Sequence, residues 1–493
     1  MIDMKAILAR TSTLVCVGTA LSACSTIPAY HAPDVAVPAH YASAPHLGAG
    51  WATAAPADGK SRGPWWSVFN DETLNRLEAR VAVSNQTVSQ AVARLEAARA
   101  ALGYQQSALA PTVTAGAGAQ RYRTSQSLVD RALAGKTIPD YSVGAGVSWE
   151  PDLFGRVRNA TTAARDNVQV SQADLESVRL SVASQLASAY LDLRSLDRQQ
   201  QLLGRTVTTY EAGLRIVEQQ LADGAIDASA LSQARTQLES ARTANQEIEA
   251  QRAQLQHAIA TLIGTPASSF SLPQDATAVV LPSIPAGVPS ALLQRRPDIA
   301  AAERRVAAAN AEIGQARAAY FPSLVLSAST GLESTFFAPW LSAPSLFWSL
   351  GAQVASVLFD GGRRDATLKG ASARYDEAVA GYRQTVLMAF QQTEDDLSEL
   401  NSLAEQARSQ QRAAAGAELA LTFANHRYEA GAVSYLDVVA TQSIALQNER
   451  TLEQIRQRQL DASVRLLQAL GGGWDRKALQ DDASPASETI AAQ

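Results

Sequence analysis

Residues 175–221 read LESVRLSVASQLASAYLDLRSLDRQQQLLGRTVTTYEAGLRIVEQQL, and their spacing decides the fold. Leu175, Val178, Val182, Leu186, Ala189, Leu193, Leu196, Gln200, Leu203, Val207, Tyr210, Leu214, Val217 and Leu221 advance by threes and fours. The 13 steps cover 46 residues, or 3.54 per step, close to the 3.5 of a left-handed coiled coil. Followed back to Arg156, the pattern predicts one helix of 66 residues, about 100 Å at 1.5 Å per residue. A compact domain, whose helices average roughly 11 residues, has no room for it. Asp223-Gly224 then marks a tight reversal. The beat resumes over 228–263 at Leu231, Ala234, Leu238, Ala241, Asn245, Ile248, Arg252, Leu255, Ile259 and Leu262. Gln200, Asn245 and Arg252 are polar members of apolar rows that either meet water or fix register.

The pattern occurs twice. Asp192-Leu-Arg-Ser-Leu196 matches Glu399-Leu-Asn-Ser-Leu403 at an offset of 207 residues, which also pairs Gly144 with Gly351, Gly155 with Gly362, Gly224 with Gly431 and Gly264 with Gly471. Gly103 and Pro111 match Gly314 and Pro322 at an offset of 211, so the four-residue difference falls in the connection between. A tandem duplication of roughly 200 residues is expected. The first repeat covers 73–264, with a helix over 73–109, a strand pair at 111–124 and 140–150, and a hairpin over 156–263. The second covers 291–471, with a helix, strands at 322–331 and 347–358, and a hairpin over 363–470. A Pro-rich linker at 265–290 joins them, and 472–493 form a C-terminal tail.

Between helices the period falls to 2. Tyr141, Val143, Ala145, Val147 and Trp149 share one face, against Ser142, Gly144, Gly146, Ser148 and Glu150. Trp348, Leu350, Ala352 and Val354 likewise oppose Ser349, Gly351, Gln353 and Ala355. Strands of about 10 residues suit a tilted bilayer crossing, with an apolar outside and a small or polar inside. A two-sided soluble sheet would alternate in the same way, and the strands alone leave both readings open. Four strands cannot close a barrel, for which about eight are needed, and free edges are not tolerated in hydrocarbon. A membrane reading therefore requires several copies.

The N-terminus favours the membrane. Lys5 and Arg10 precede an apolar run ending in Leu21-Ser22-Ala23-Cys24, an export signal over 1–23. Leu-Ser-Ala-Cys resembles the lipobox of bacterial lipoproteins, which implies cleavage before Cys24, a covalent lipid on it, and an extended segment over 24–72. Ser25, where an Asp favours inner-membrane retention, points to the outer membrane. The whole chain carries 42 basic and 47 acidic side chains, a net charge of −5, which gives no reason to expect nucleic-acid binding. Two cysteines and five histidines match no CxxC or HExxH spacing. No nucleophilic or phosphate-binding motif occurs either, so neither an enzyme nor a cofactor, apart from the lipid, is expected.

Taken together, Pro64-Trp-Trp-Ser-Val-Phe-Asn-Asp71, Arg295-Arg-Pro-Asp-Ile299, Ala319-Tyr-Phe-Pro-Ser323, Leu358-Phe-Asp-Gly-Gly-Arg-Arg364 and Arg427-Tyr-Glu-Ala-Gly431 resemble the TolC and OprM type of outer-membrane efflux channel, in its NodT-like lipoprotein branch. The resemblance implies a mixed α and transmembrane β fold. Four strands per chain would form a 12-stranded barrel in a homotrimer, continuous with a long coiled-coil periplasmic tunnel. It also implies a passive exit duct for drugs or other small molecules in the outer membrane, whose partners are outer-membrane lipids, a periplasmic adaptor and an inner-membrane pump, RND type first. By the same resemblance Leu436, Asp437 and Tyr435 lie at the periplasmic gate, where a ring of Asp437 carboxylates could hold a divalent cation. Gly224, Tyr428 and Gly431 lie at the hairpin tips that meet the adaptor. Val433 and Ala440 depart from relatives that carry Arg and Asp there, which moves closure toward Leu436 and Tyr435. The alternative is a periplasmic adaptor lipoprotein, which also joins a lipobox to coiled-coil hairpins. Two hairpins, each preceded by a strand pair, argue against it.

Overall fold

The computed structural model describes residues 26–38, 41–43, 64–127, 134–282, 284, 295–337 and 341–472. The export signal, Cys24, part of the linker over 265–290 and the tail beyond Gly472 lie outside the described residues. The helices are α1 (Glu72–Ser84), α2 (Gln86–Ser107), α3 (Arg156–Ala222), α4 (Ala228–Leu262), α5 (Pro297–Ala318), α6 (Arg363–Glu429) and α7 (Tyr435–Ala469). The strands are β1 (Thr112–Arg123), β2 (Thr137–Trp149), β3 (Ser323–Ser334) and β4 (Leu346–Ala355). α3 and α6 are each 67 residues long, and α4 and α7 are each 35. The chain divides into two units, one of Met1–Asp34, Leu95–Ser171 and Ala302–Tyr382, the other of Val35–Arg94, Gln172–Ala301 and Arg383–Gln493.

The first unit contains the strands. They form one antiparallel sheet in the order β1-β2-β3-β4, in which the strand pair of the first half joins that of the second through β2 and β3. Register places Val113 opposite Val147, Val147 opposite Ala328 and Ala328 opposite Leu350. Because side chains alternate across a strand, Tyr141, Val143, Ala145, Val147 and Trp149 fall on the same face as Leu324, Leu326, Leu332, Trp348, Leu350 and Val354. Thr114, Gly116, Gly144, Ser327, Ser329 and Ser349 line the other face, where the Ser329 and Ser349 hydroxyls meet at 2.7 Å. Gly144 and Gly331 pair directly. A Cβ on Gly331 would lie 2.4 Å from the Val143 carbonyl and 2.8 Å from the Phe347 ring, so this crossing accepts no side chain. Every residue of β1 is exposed, and among the described residues β1 and β4 each keep one edge without a strand partner.

At the base of the sheet, Asp152 accepts hydrogen bonds from the Val157 and Arg158 amides at the start of α3. Asp360 does the same for the Gly362 and Arg364 amides at the start of α6. The word Leu358-Phe-Asp-Gly-Gly-Arg-Arg364 is thus a helix-start signal that supplies an acceptor to orphan amide donors. The N-terminal segment is tied down beside it. Thr26 Oγ1 donates to the Phe154 carbonyl at 3.0 Å and accepts from Asn159 Nδ2 at 2.9 Å, while Asn310 Nδ2 donates to the Pro28 carbonyl.

The second unit is packed by the hairpin rows. Leu196, Leu203 and Ile248 are buried together, with Ala244, Leu255 and Leu446 against them. Nearer the tip, Tyr210, Leu238 and Ala241 do the same with Val207 and Leu214. Arg252 is mostly buried and serves register. Its guanidinium pairs at 2.6 Å with Asp197, whose side chain is fully buried, and donates to the Leu272 carbonyl at 2.9 Å. Breaking a buried pair on one side costs about 3–5 kcal/mol. Gln200 accepts from Gln274 at 2.8 Å, so both polar positions hold the segment that follows α4.

The helix expected without interruption over 73–109 is broken. Asn85, buried and extended at φ −70°, ψ 125°, separates α1 from α2. Its Oδ1 accepts from the Thr87 and Val88 amides at 2.9 and 3.0 Å, and its Nδ2 donates to the Leu262 carbonyl at 2.7 Å. The periodicity passed over this break because an Asn between two in-phase apolar rows leaves the phase unchanged. One side chain caps α2 and satisfies an orphan carbonyl at the end of α4. Arg296 holds the corresponding place before α5: its Nη1 donates to the Ala469 carbonyl at the end of α7 at 3.3 Å, and its fork grips Asp298 at 2.6 and 3.0 Å. Gly264 and Gly471, at φ +66° and +84°, close the two joints; a Cβ would come within 2.3 Å of the Ser84 carbonyl and 2.7 Å of the Arg295 carbonyl respectively.

Replacing Asn85 with Ala removes three hydrogen bonds at a buried joint. A loss of about 2 kcal/mol is expected, read as a lower denaturation midpoint, with Asn85→Asp recovering the cap but not the bond to Leu262.

Candidate functional site

The hairpin tips carry the residues that the sequence singles out, and all of them lie in the second unit. Gly224 and Gly431 adopt φ +72° and +69°. At the first tip the Ala225 amide donates to the Gln220 carbonyl at 2.8 Å and the Gly224 amide to Leu221 at 3.0 Å. At the second, Ala432 donates to Arg427 at 2.8 Å and Gly431 to Tyr428 at 2.9 Å. Both are Schellman ends, in which a left-handed residue lets two amides turn back on the last helical carbonyls. The two glycines are required by the turn itself, because the left-handed region penalises a Cβ.

The return helices start differently. Asp227 caps α4 by accepting from the Ser229 and Ala230 amides. The Ser229 hydroxyl, then these amides, hold its carboxyl below the usual range. In α7 the start is a capping box: Asp437 Oδ2 accepts from the Ser434 amide at 3.1 Å and from its hydroxyl at 2.8 Å. Asp437 is thus held in one rotamer by its own helix start and remains exposed, with the second carboxylate oxygen outside the capping box. Leu436 is 54% exposed, whereas Val438, two residues on, is buried. The first turn of α7 therefore presents an apolar and an acidic side chain to solvent while its other side packs.

Tyr435 belongs to the packed side. Its ring lies 5.6 Å from that of Tyr428, and a Cβ on Gly213 would meet its hydroxyl at 3.0 Å. Burial holds its phenol above the ordinary range, and the neighbouring Tyr428 and Tyr210 add to the effect. Tyr428 reaches the other hairpin, donating to Gln220 Oε1 at 2.6 Å. The tips are therefore latched to one another by Tyr428, Gln220, Tyr435 and Gly213. Gln220 and Gly213 escaped the sequence reading. They are seven residues apart, the heptad spacing, but as polar and small residues they leave no mark in an apolar row.

The arrangement of the described residues uses its hydroxyl–carboxylate pairs, Ser229 with Asp227 and Ser434 with Asp437, at helix starts. It offers a sheet with one apolar and one small or polar face, and hairpin ends with an exposed carboxylate and leucine beside a polar latch. Residues 79–265 and 288–472 match the outer membrane efflux protein family. The pyoverdine export outer membrane protein OpmQ of Pseudomonas aeruginosa is 32% identical over 93% of this chain and 96% of its own length. The cation efflux system protein CusC of Escherichia coli is 31% identical over 94% and 98%. The solved open state of the Neisseria gonorrhoeae MtrE outer membrane channel superposes with a TM-score of 0.79 at 26% identity, covering 92% of this chain and 99% of that one. The matches favour a channel subunit over an adaptor, and the chain belongs to the outer membrane efflux protein family.

Proposed function

We propose that three copies of this chain complete a 12-stranded barrel in the outer membrane and a helical tunnel in the periplasm, forming the passive exit duct of a tripartite efflux system. The open sheet carries this reading: an apolar face on strands long enough to cross a bilayer, with an edge at β1 and at β4 that has no strand partner among the described residues, needs neighbours to satisfy its backbone. The equal lengths of α3 and α6, and of α4 and α7, support a tandem duplication as its origin. A periplasmic adaptor grips the tips at Gly224, Tyr428 and Gly431, and an inner-membrane pump, RND type first, supplies the drive. The relatives' names run from pyoverdine export to cation efflux, which supports a duct that leaves cargo selection to the pump.

Cys24 carries a covalent lipid in this proposal. Thr26, two residues further on, is hydrogen-bonded to the Phe154 and Gly314 carbonyls, beside the end of β2. Leu436 and Asp437 form the gate, where three carboxylates around one axis repel one another and attract cations.

The detergent-solubilised protein is expected to have three times the mass of the mature chain and to conduct ions in planar bilayers; a stable, non-conducting monomer would contradict the duct. Asp437→Asn keeps an acceptor in the capping box but removes the charge. It should weaken divalent-cation block of the conductance severalfold, and an undiminished block would remove Asp437 from the gate. Cys24→Ala should abolish palmitate labelling while leaving trimers in the outer membrane, because the barrel anchors them independently.

A further inference from the structure

The tryptophan pair of Pro64-Trp-Trp-Ser-Val-Phe-Asn-Asp71 plays no part in the tips or the sheet. Residues 65–69 form a short 3-10 helix that sets the Trp65 and Trp66 rings edge to face, centroids 5.7 Å apart at 78°. Behind them, within the second unit, lies a cavity of about 240 Å³ walled by Trp65, Trp66, Val81, Val88, Leu180 and Ala183. A benzene molecule fits in about 150 Å³, so this space holds an aromatic ring with a short tail. Glu78 also lines it. The residue is 2% exposed, on the same side of α1 as the buried Leu74, Leu77 and Val81, and its Oε1 has no hydrogen-bond partner. A buried carboxyl without a donor is costly, and every other contact in this wall is apolar or aromatic, apart from Glu176 and Arg179. Those two are engaged with each other at 2.5 Å, with Arg179 half in solvent.

We propose that this cavity is a binding site for a small lipophilic amine, whose aromatic or alkyl body fills the space between Trp66 and Leu180 and whose ammonium pairs with the Glu78 carboxylate. The indole faces add cation–π attraction to the same charge. An apolar ligand would fill the space but leave the carboxyl unpaired. The site stands apart from the gate, so it holds or falls independently of the duct.

The chemistry has a proton signature. Burial pushes the Glu78 carboxyl up to about 9, so at neutral pH it is protonated in the empty site. The ligand, with a pKa near the 10.4 of a lysine amine, is already charged. Binding then forms the ammonium–carboxylate pair and releases one proton, from Glu78 to solvent. By linkage, affinity should rise about tenfold per pH unit from pH 6 to 8 and level off near pH 9. Among the described lining residues Glu176 and Arg179 are the other charged groups, and they pair with each other.

The test is calorimetric titration of the full-length protein in detergent with phenethylammonium, and with 2-phenylethanol as its neutral counterpart. Each titration is run at pH 7 in phosphate and in Tris, whose different ionisation enthalpies count released protons. One proton released per amine bound is expected, with the alcohol at least tenfold weaker and no proton released. Glu78→Gln should weaken the amine at least tenfold and abolish the pH dependence while the alcohol is unaffected. Should that variant fail to fold, Ala82→Trp, placed at the exposed rim, should block both ligands in an otherwise unchanged protein. Equal binding of amine and alcohol, an amine isotherm without proton release, or no binding by either because a second copy or residues 473–493 fill the cavity would each overturn the proposal.

Discussion

The fold depends on where backbone hydrogen bonds end. Each strand of an open sheet can satisfy its inner edge, but β1 and β4 each present a row of amides and carbonyls with no strand partner among the described residues. In water such edges are tolerable; in hydrocarbon each unsatisfied group costs several kcal/mol. A sheet with one apolar face and two free edges is therefore incomplete in a membrane. The proposed assembly follows from that incompleteness more directly than from any side-chain contact.

The same accounting governs the helices. A helix of 67 residues leaves only four orphan donors and four orphan acceptors, so very long helices keep irregular backbone confined to a few joints. At those joints the chain uses its polar side chains sparingly. Asn85 serves two helices with one amide, and Arg296 does the equivalent work with a guanidinium that also binds Asp298. Gly264 and Gly471 let the backbones meet. Long regular rods and short joints bridged by polar side chains are complementary consequences of one rule.

What the sequence revealed and what it hid follow from this division. The hairpins were legible because apolar periodicity records burial directly: the row from Leu175 to Leu221 reads as a helix, and α3 ends at Ala222; the strands were legible because apolar residues alternate with small or polar ones, although most of their side chains are exposed. The tips were legible because Gly224 and Gly431 answer a backbone demand that few other residues meet. The break at Asn85 was not, since a cap between in-phase rows changes no hydrophobic signal. The latch from Tyr428 to Gln220 was hidden for another reason. It joins residues 208 apart, and a single long-range hydrogen bond leaves no periodic trace. Arg252 lay between these cases: its place in an apolar row marked it as unusual, but only the Asp197 contact decides between water and register.

Buried charge in the second unit separates into two kinds. Arg252 and Asp197 are buried as a pair and further bonded to backbone, so each ion's lost hydration is offset by its partner. Arg198 lies 3.2 Å from Glu453 in a pair nearly as buried. Such pairs contribute little net stability but penalise any shift of one helix past another, because a slipped register would leave both ions unpaired. They suit hairpins whose apolar rows, repeating every three or four residues, would otherwise pack almost as well one turn out of step. Glu78 lacks this compensation: its Oε1 has no hydrogen-bond partner among the described residues, and its cost is met by carrying a proton instead of a charge. A carboxyl kept neutral by burial constrains no register, and what remains is an acidic proton held against an aromatic cavity, chemistry that the packing of the hairpins does not require.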